Sequence, residues 1–250
     1  MNAAIRVEAR KLARSRVGMI GSLSLVAGTL AMLGGITAAT ASGNPDLIAK
    51  AGPAAALDWS GLLSSTAQVT AAGGLLGSGV VLTWMFGREF ADGTITGLFA
   101  LPVSRARIAL AKLTAYAAWV LAVNLILTLG LLILGILLGY GIPTADAWAG
   151  LGRQCVLGVL SGAIATPVAW VATLTRSLLA GVGCAIGLVL VTQVAVLAGA
   201  GGWMPLAAPA LWAMSNGTAV TDLQLALALG AALTFAALTC VSWARLQLNR

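Results

Sequence analysis

Apolar runs of about 20 residues or more recur along this chain, each long enough to cross a hydrocarbon core roughly 30 Å thick. Nothing else in the sequence narrows its fold as sharply. Six such runs can be drawn: Val17–Ala41, Leu62–Phe86, Leu113–Tyr140, Leu151–Leu174, Leu178–Gly199 and Leu223–Trp243. Lipid offers backbone N–H and C=O groups no water. A spanning segment must therefore satisfy them internally as a helix, or with its neighbours in a closed barrel. Barrel strands alternate apolar and polar residues over about ten positions, whereas these runs are continuously apolar. The fold class expected is an all-α polytopic membrane protein, a single transmembrane domain over residues 1–250. Its spans are placed at 17–41, 62–86, 113–140, 151–174, 178–199 and 223–243.

Composition agrees. Hydrophobic residues make up 60% of the 250 positions and charged ones 8%, against roughly a quarter charged in a soluble domain. The first run has a basic flank and a passable cleavage triplet at Ala39-Thr40-Ala41. It is far longer than the 7–15 residues or so of a signal-peptide core, and is expected to be retained. Cys155, Cys184 and Cys240 all fall within spans without CxxC spacing and read as small packing residues. The chain has no histidine, which removes imidazole acid–base chemistry and imidazole metal ligation.

Lys and Arg placement sets the expected sidedness. With the N-terminus inside, the cytoplasmic segments hold Arg6, Arg10, Lys11, Arg14, Arg16, Arg88, Arg105, Arg107, Lys112, Arg176, Arg245 and Arg250. Only Lys50 and Arg153 fall outside. Both termini are expected to be cytoplasmic, and the net charge of +7 is accounted for without nucleic acid. Asp46, Asp58, Asp146 and Asp222 lie on the outer side.

Residues 1–16 place Ile5, Ala9, Leu12 and Ala13 at helical spacing, with Arg6, Arg10 and Arg14 recurring every four residues on another face. Together with Lys11 they form a basic amphipathic helix suited to the inner lipid interface; the alternative is a topology anchor with no further role. The outer loop Ser42–Gly61 reads as solvated, with turns at Asn44-Pro45 and Gly52-Pro53. The turn at Thr175-Arg176-Ser177 is short enough to make spans four and five a tight hairpin. Residues 200–221 are too long for a turn and too apolar for a solvated loop. Trp203, Pro205, Pro209 and Trp212 there fit either short helices dipping into the outer leaflet or an interfacial aromatic belt.

Within the spans, Asn124 and Gln193 fall near mid-bilayer, where an unpaired amide is costly; they serve helix packing or line a polar route. Thr166-Pro167 is expected to kink span four, and Asp222 to cap the last helix. Glycine pairs four apart, such as Gly135/Gly139 and Gly158/Gly162, carry little information in a chain with 31 glycines.

The polar island Arg88–Lys112 interrupts this hydrocarbon. Six of the chain's 21 formally charged residues lie in it: Arg88, Glu89, Asp92, Arg105, Arg107 and Lys112. Phe90, Thr94, Leu98 and Leu101 sit near helical spacing, and Glu89 and Asp92 are expected in the first turn, where the helix macrodipole favours acids. Pro102 should end that helix by disfavouring helical geometry at Leu101, and Ser104 should cap the next one.

The pattern from Glu89 to Lys112, E-F-x-x-G-T-I-x-x-L-x-x-L-P-V-S-R-x-x-I-x-x-A-K, resembles the signature of the ABC-2 type permeases. These are membrane subunits of ATP-binding cassette transporters. The N-terminal basic helix is similar to that family's interfacial elbow helix, and the six spans and the Pro/Trp-bearing stretch before the last one match as well. The resemblance implies that 88–112 is a cytoplasmic coupling segment. Glu89, Phe90, Asp92, Gly93, Thr94 and Leu98 would lie on a helix docked in a groove of the ATPase, with Pro102, Ser104, Arg105 and Lys112 shaping the return into span three. It implies two copies of an ABC ATPase subunit carrying ATP and Mg, a second permease subunit (identical or related), and a bacterial inner or plasma membrane.

No G-x-x-x-x-G-K-[ST] loop is present to cradle phosphates, so no cofactor is expected on this chain, and no catalytic set is found. The leading expectation is an exporter permease for hydrophobic or amphipathic cargo such as an antibiotic, peptide or lipid. The alternatives are an ABC-2-like subunit serving metal-site maturation or assembly, and a secondary transporter. The last usually carries intramembrane acids or broken paired helices.

Overall fold

The computed structural model describes residues 2–43, 45–100 and 102–247. The expectations placed on Asn44, Leu101 and Arg250 lie outside the described residues, as do the side chains of Lys50 and Pro53. Helices account for the ordered structure throughout. They are α1 (Asn2–Ala13), α2 (Arg16–Ala41), α3 (Pro45–Ala51), α4 (Trp59–Ala91), α5 (Ile95–Phe99), α6 (Arg105–Leu137), α7 (Ala145–Ile164), α8 (Pro167–Thr175), α9 (Leu178–Leu197), α10 (Ala208–Met214) and α11 (Asp222–Arg245). Among the described residues, six continuous stretches are long and apolar enough to cross a membrane: α2, α4, α6, α7 with α8, α9 and α11.

Several helices run beyond their apolar runs at the end of the bundle where the cations gather, here termed the basic end. The helix α6 starts at Arg105, two turns before the apolar run that predicts it. Polar residues at a span end are not excluded from the helix; they are excluded only from the hydrocarbon. Hydropathy therefore marks the membrane-embedded part and misses the extension.

Proline and glycine punctuate the rest. Pro167 cannot donate a backbone hydrogen bond, and the fourth span divides there into α7 and α8. The Ala163 carbonyl, which loses its partner at Pro167, accepts from the Thr166 N–H at 3.1 Å, and the Tyr116 hydroxyl donates to the neighbouring Gly162 carbonyl at 2.7 Å. The Thr166 hydroxyl donates across to the Ala232 carbonyl of α11 at 3.0 Å. At the hairpin between spans four and five, Arg176 itself adopts the left-handed conformation, φ 54.

Two local expectations are corrected. The loop 42–61 is largely helical, with α3 followed by a 3-10 turn at Gly52–Ala55; Pro45 is the first residue of α3, where its fixed φ suits a helix start. Asp222 is not the cap of the last helix. Thr221 is, in a reciprocal capping box with Gln224, because Gln224 stands at the third helical position and can reach back to the cap's own N–H. In the segment 200–221, a 3-10 turn at Gly201–Trp203 and α10 pack on the ends of α4, α7 and α11 opposite the basic end. Ala207, Ala208 and Pro209 are buried there, while Trp203 is exposed and Trp212 half-buried.

The core has two parts. At the basic end Leu12, Leu82, Phe86, Ile108, Val168 and Trp243 are buried together. Toward the far end, Leu33, Trp59, Leu62, Leu127 and Leu131 form the other. Between them Asn124 is buried in the α6–α7 seam and donates to the Val120 carbonyl at 2.9 Å. Its amide fills the space of a side chain at Gly158, where an added Cβ would lie 1.6 Å from Asn124 Oδ1. Gln193, by contrast, is exposed on the outside of α9, so these two amides do not meet.

This seam gives a direct test. Gly158→Val should lower stability by about 1–3 kcal/mol through overpacking, read as a reduced melting temperature in detergent. Gly183→Ala should be near neutral, since a Cβ there meets nothing within 4 Å.

Candidate functional site

The main gathering of buried charge lies at the basic end, where α1, the end of α4 and the start of α6 converge. Lys112 is 2% exposed, Glu8 5% and Glu89 8%. Lys112 Nζ donates to Glu8 Oε2 at 2.9 Å, to Glu89 Oε1 at 2.9 Å and to the Met85 carbonyl at 3.0 Å. An ammonium has three N–H donors, and all three are used. Lys11 completes the cluster from the surface, 2.7 Å from Glu8 Oε1 and 3.1 Å from Glu89 Oε1. Two carboxylates and two ammonium groups leave no net charge.

The Trp243 ring, from the end of α11, lies 5.8 Å from Lys112 Nζ in a cation–π contact. Its own N–H donates to Thr173 Oγ1 at 3.0 Å. Phe86, Phe90 and Phe99 meet it edge-on with centroids 5.9, 6.3 and 6.2 Å away. Arg105 stacks 4.3 Å over Phe99 and bonds to the Leu246 carbonyl. Arg176 reaches the Gln247 carbonyl at 2.8 Å. The C-terminal end of the last span is thereby fastened to the segment between the second and third spans.

That segment departs from its expected form. Glu89 and Asp92 do not begin a helix. Glu89 lies in the last turn of α4, and Asp92 is that helix's C-cap. The reason is Gly93, whose φ of +67 is the left-handed conformation that ends helices. The acids consequently sit at the unfavourable end of the α4 macrodipole. Each is offset by a cation, Glu89 by the two lysines and Asp92 by Arg88 at 2.8 Å. Only Ile95–Phe99 forms the intervening helix α5, which stops three residues before Pro102. Ser104 is the N-cap residue of α6 by backbone geometry, with no side-chain capping bond.

On α5, Ile95 is buried and Leu98 half-buried, while Thr96 and Gly97, and Gly93 and Thr94 just before the helix, are exposed. A cleft of roughly 370 Å³ separates it from the cluster, with Glu8, Lys11, Arg88, Glu89, Thr94 and Gly97 among its walls. On α1 and just beyond it, Arg6, Arg10 and Arg14 are exposed and only Lys11 of that basic set joins the cluster. Glu8, Met85 and Trp243 were not singled out from sequence. For Glu8 a signal existed, since it is the one acid before Asp46 and stands three residues from Lys11. For Trp243 none did, because a tryptophan at a span end also fits an interfacial belt.

The electrostatics of the cluster set its pH limits. Burial pushes the Glu8 carboxyl up, but Lys112 and Lys11 outweigh it and hold the group below its usual 4.5. Burial pulls Lys11 down, and Glu8 and Glu89 outweigh that, holding it above its usual 10.5. Glu8 therefore contributes stability above the ordinary carboxylate range and loses it as pH falls through its lowered folded value. Lys11 contributes below the ordinary lysine range and loses it as pH rises through its raised one. Among the described residues no group of acids and cysteines is placed to hold a metal.

An all-helical bundle with six span-capable stretches, its buried charge among the described residues confined to one end and a short helix slung between its second and third spans, defines the class as a multi-pass membrane protein. Residues 4–195, from α1 to nearly the end of α9, match the family described as ABC-2 family transporter proteins, and the chain belongs to that family. A comparison with curated proteins found no match.

Two outcomes are expected. Lys112→Met, which strands two buried carboxylates, should cost about 3–5 kcal/mol and show as a large drop in detergent melting temperature. Melting temperature should stay level through the neutral range and fall below about pH 4.5, and Glu8→Gln should shrink that acid limb.

Proposed function

We propose that this chain is the permease subunit of an ATP-driven exporter, working with a separate ABC ATPase that supplies ATP and Mg. The observation that carries the reading is α5. It is a short helix with an exposed polar face, hung between two spans and backed by a buried ion cluster. A docked partner pressing on such a helix acts on three spans at once. The distribution of cations supports a cytoplasmic basic end, with α1 as an interfacial elbow near anionic headgroups.

On this reading Gly93, Thr94 and Gly97 face the ATPase, Phe90 and Leu98 seat α5 on the bundle, and Asp92 steadies its entry through Arg88. Glu89 and Lys112 act behind the docking face, as the strut that transmits load. Pro102, Ser104 and Arg105 shape the return into α6. Two ATPase copies and two permease subunits complete the assembly in a bacterial inner or plasma membrane. Spans so poor in charge favour hydrophobic or amphipathic cargo over bare ions.

Gly97→Arg tests this without disturbing the fold, because a Cβ at Gly97 meets nothing within 4 Å. Co-expressed with its neighbouring ATPase, the wild-type chain should co-purify with that subunit and stimulate its hydrolysis. Gly97→Arg should insert and melt normally yet lose at least about tenfold of the stimulation, roughly 1.4 kcal/mol of coupling. Retention of full stimulation removes α5 as the docking element.

A further inference from the structure

Between α8 and α11 a cleft of roughly 520 Å³ opens at the basic end. The two helices run side by side toward that end and are tied by three hydrogen bonds. The Trp170 indole donates to Ser242 Oγ at 3.2 Å, the Trp243 indole to Thr173 Oγ1 at 3.0 Å, and Arg176 to the Gln247 carbonyl at 2.8 Å. The cleft is thus formed before any occupant arrives, which lowers the cost of binding. Its walls grade from apolar to cationic. Trp170, Leu174, Leu238 and Val241 line it within the spans, and Arg176 and Arg245 line it at their ends. Trp170 lies six positions before Arg176 and Leu238 seven before Arg245, roughly 9–11 Å of helix. The apolar part therefore reaches into the hydrocarbon while the cations stay at its edge.

The charge of the cleft is unbalanced. No acid lines it, and the acids of the basic end, Glu8, Glu89 and Asp92, are engaged by Lys11, Lys112 and Arg88. Neither Arg176 nor Arg245 has a carboxylate partner among the described residues. Arg176 spends one of its five N–H donors on Gln247, and the exposed Arg245 guanidinium has no partner among the described residues. Ser242 accepts from Trp170, and its own O–H is donated to no described residue. The C-terminal ends of α8 and α11 bring roughly half a negative charge each, which the two guanidinium groups outweigh.

The geometry points to a binding site for an anionic phospholipid in this cleft. Its phosphate lies between Arg176 and Arg245, the pairing that basic pockets between spans offer a lipid headgroup, and one acyl chain runs down along Leu174, Leu238, Val241 and the Trp170 ring. Both halves of the ligand are required by the walls. A small anion leaves the apolar part unfilled, and a zwitterionic lipid brings its own cation to two arginines. No wall residue comes from α5 and occupancy involves no ATPase, so failure of the coupling reading leaves this one standing.

The test uses the full chain in a neutral maltoside detergent, titrated with phosphatidylglycerol whose acyl chains carry bromine, a short-range quencher of tryptophan emission. A saturable quenching that Trp170→Phe removes is expected. Arg245→Gln should raise its midpoint about five-fold, the scale of one cation at an anionic membrane surface, and Arg176→Gln should raise it also. Arg107 is exposed on α6 and outside the cleft, so Arg107→Gln removes the same charge from the same end and should leave the midpoint in place. Arg176 also holds the Gln247 carbonyl, so its variant is compared only if it melts as the wild type does; Arg245 holds nothing and tests the site in either case. Quenching that does not saturate, a midpoint unmoved by Arg245→Gln, an equal shift with Arg107→Gln, or brominated phosphatidylcholine binding with the same midpoint each overturns the site. Displacement of the lipid by an equal concentration of glycerol phosphate makes it a free-anion site and overturns the lipid.

Discussion

A lysine ammonium cannot be taken out of water alone. The desolvation cost is several kcal/mol even after relaxation, and it is recovered only when every N–H finds a partner in good geometry. Lys112 meets that requirement with Glu8, Glu89 and the Met85 carbonyl, and the basic end is built around meeting it. Glu8 has to come from α1, so the N-terminal helix must dock against α6. Glu89 has to come from the last turn of α4, so α4 must continue past its apolar run and stop at Gly93. Remove the ammonium and two carboxylates remain in a low-dielectric seam without their main counter-charge.

The aromatic shell follows from the same constraint. Water reaching the cluster would screen it, and Trp243 with Phe86, Phe90 and Phe99 closes one side with hydrocarbon. Trp243 is fully buried and bonded to Thr173 of α8, so α11 and α8 are drawn into the joint that α1, α4 and α6 define. Residues spread across the whole chain, from Glu8 to Trp243, thus close one contiguous network.

The fold was legible because its signal is long-range in sequence and simple in physics. Six apolar runs are six helices, and a proline at 167 divides one of them. The site was legible in part. Motif spacing drew attention to Glu89 and Lys112 as parts of a coupling segment, but it could not pair them, since a charged residue near a span end can also snorkel to water. Nothing local distinguishes a lysine that snorkels from one that turns inward; that depends on Glu8, which is 104 positions away. The acids end a helix rather than begin one for a related reason. Acids at 89 and 92 fit a helix start by their dipole preference of about 0.3–1 kcal/mol, and the buried ion pairs with Glu89 outweigh that preference and permit a helix end.

The mechanical consequence lies in what α5 lacks. A five-residue helix has almost no stability of its own, and it continues neither neighbouring helix: Gly93 is left-handed on one side and Ser104 is extended on the other. Its position is therefore held by Ile95 and by the aromatic contacts of Phe99, not by continuity with α4 or α6. A load on α5 cannot travel along the helix axis into the spans. It has to pass sideways, through Phe99 to Trp243 and through the last turn of α4 to Glu89 and Lys112. Both routes end on buried hydrogen-bonded groups, where a small displacement strains hydrogen bonds of 2.9 to 3.0 Å rather than compressing loose side chains. That is why a helix too short to be rigid is nonetheless rigidly connected.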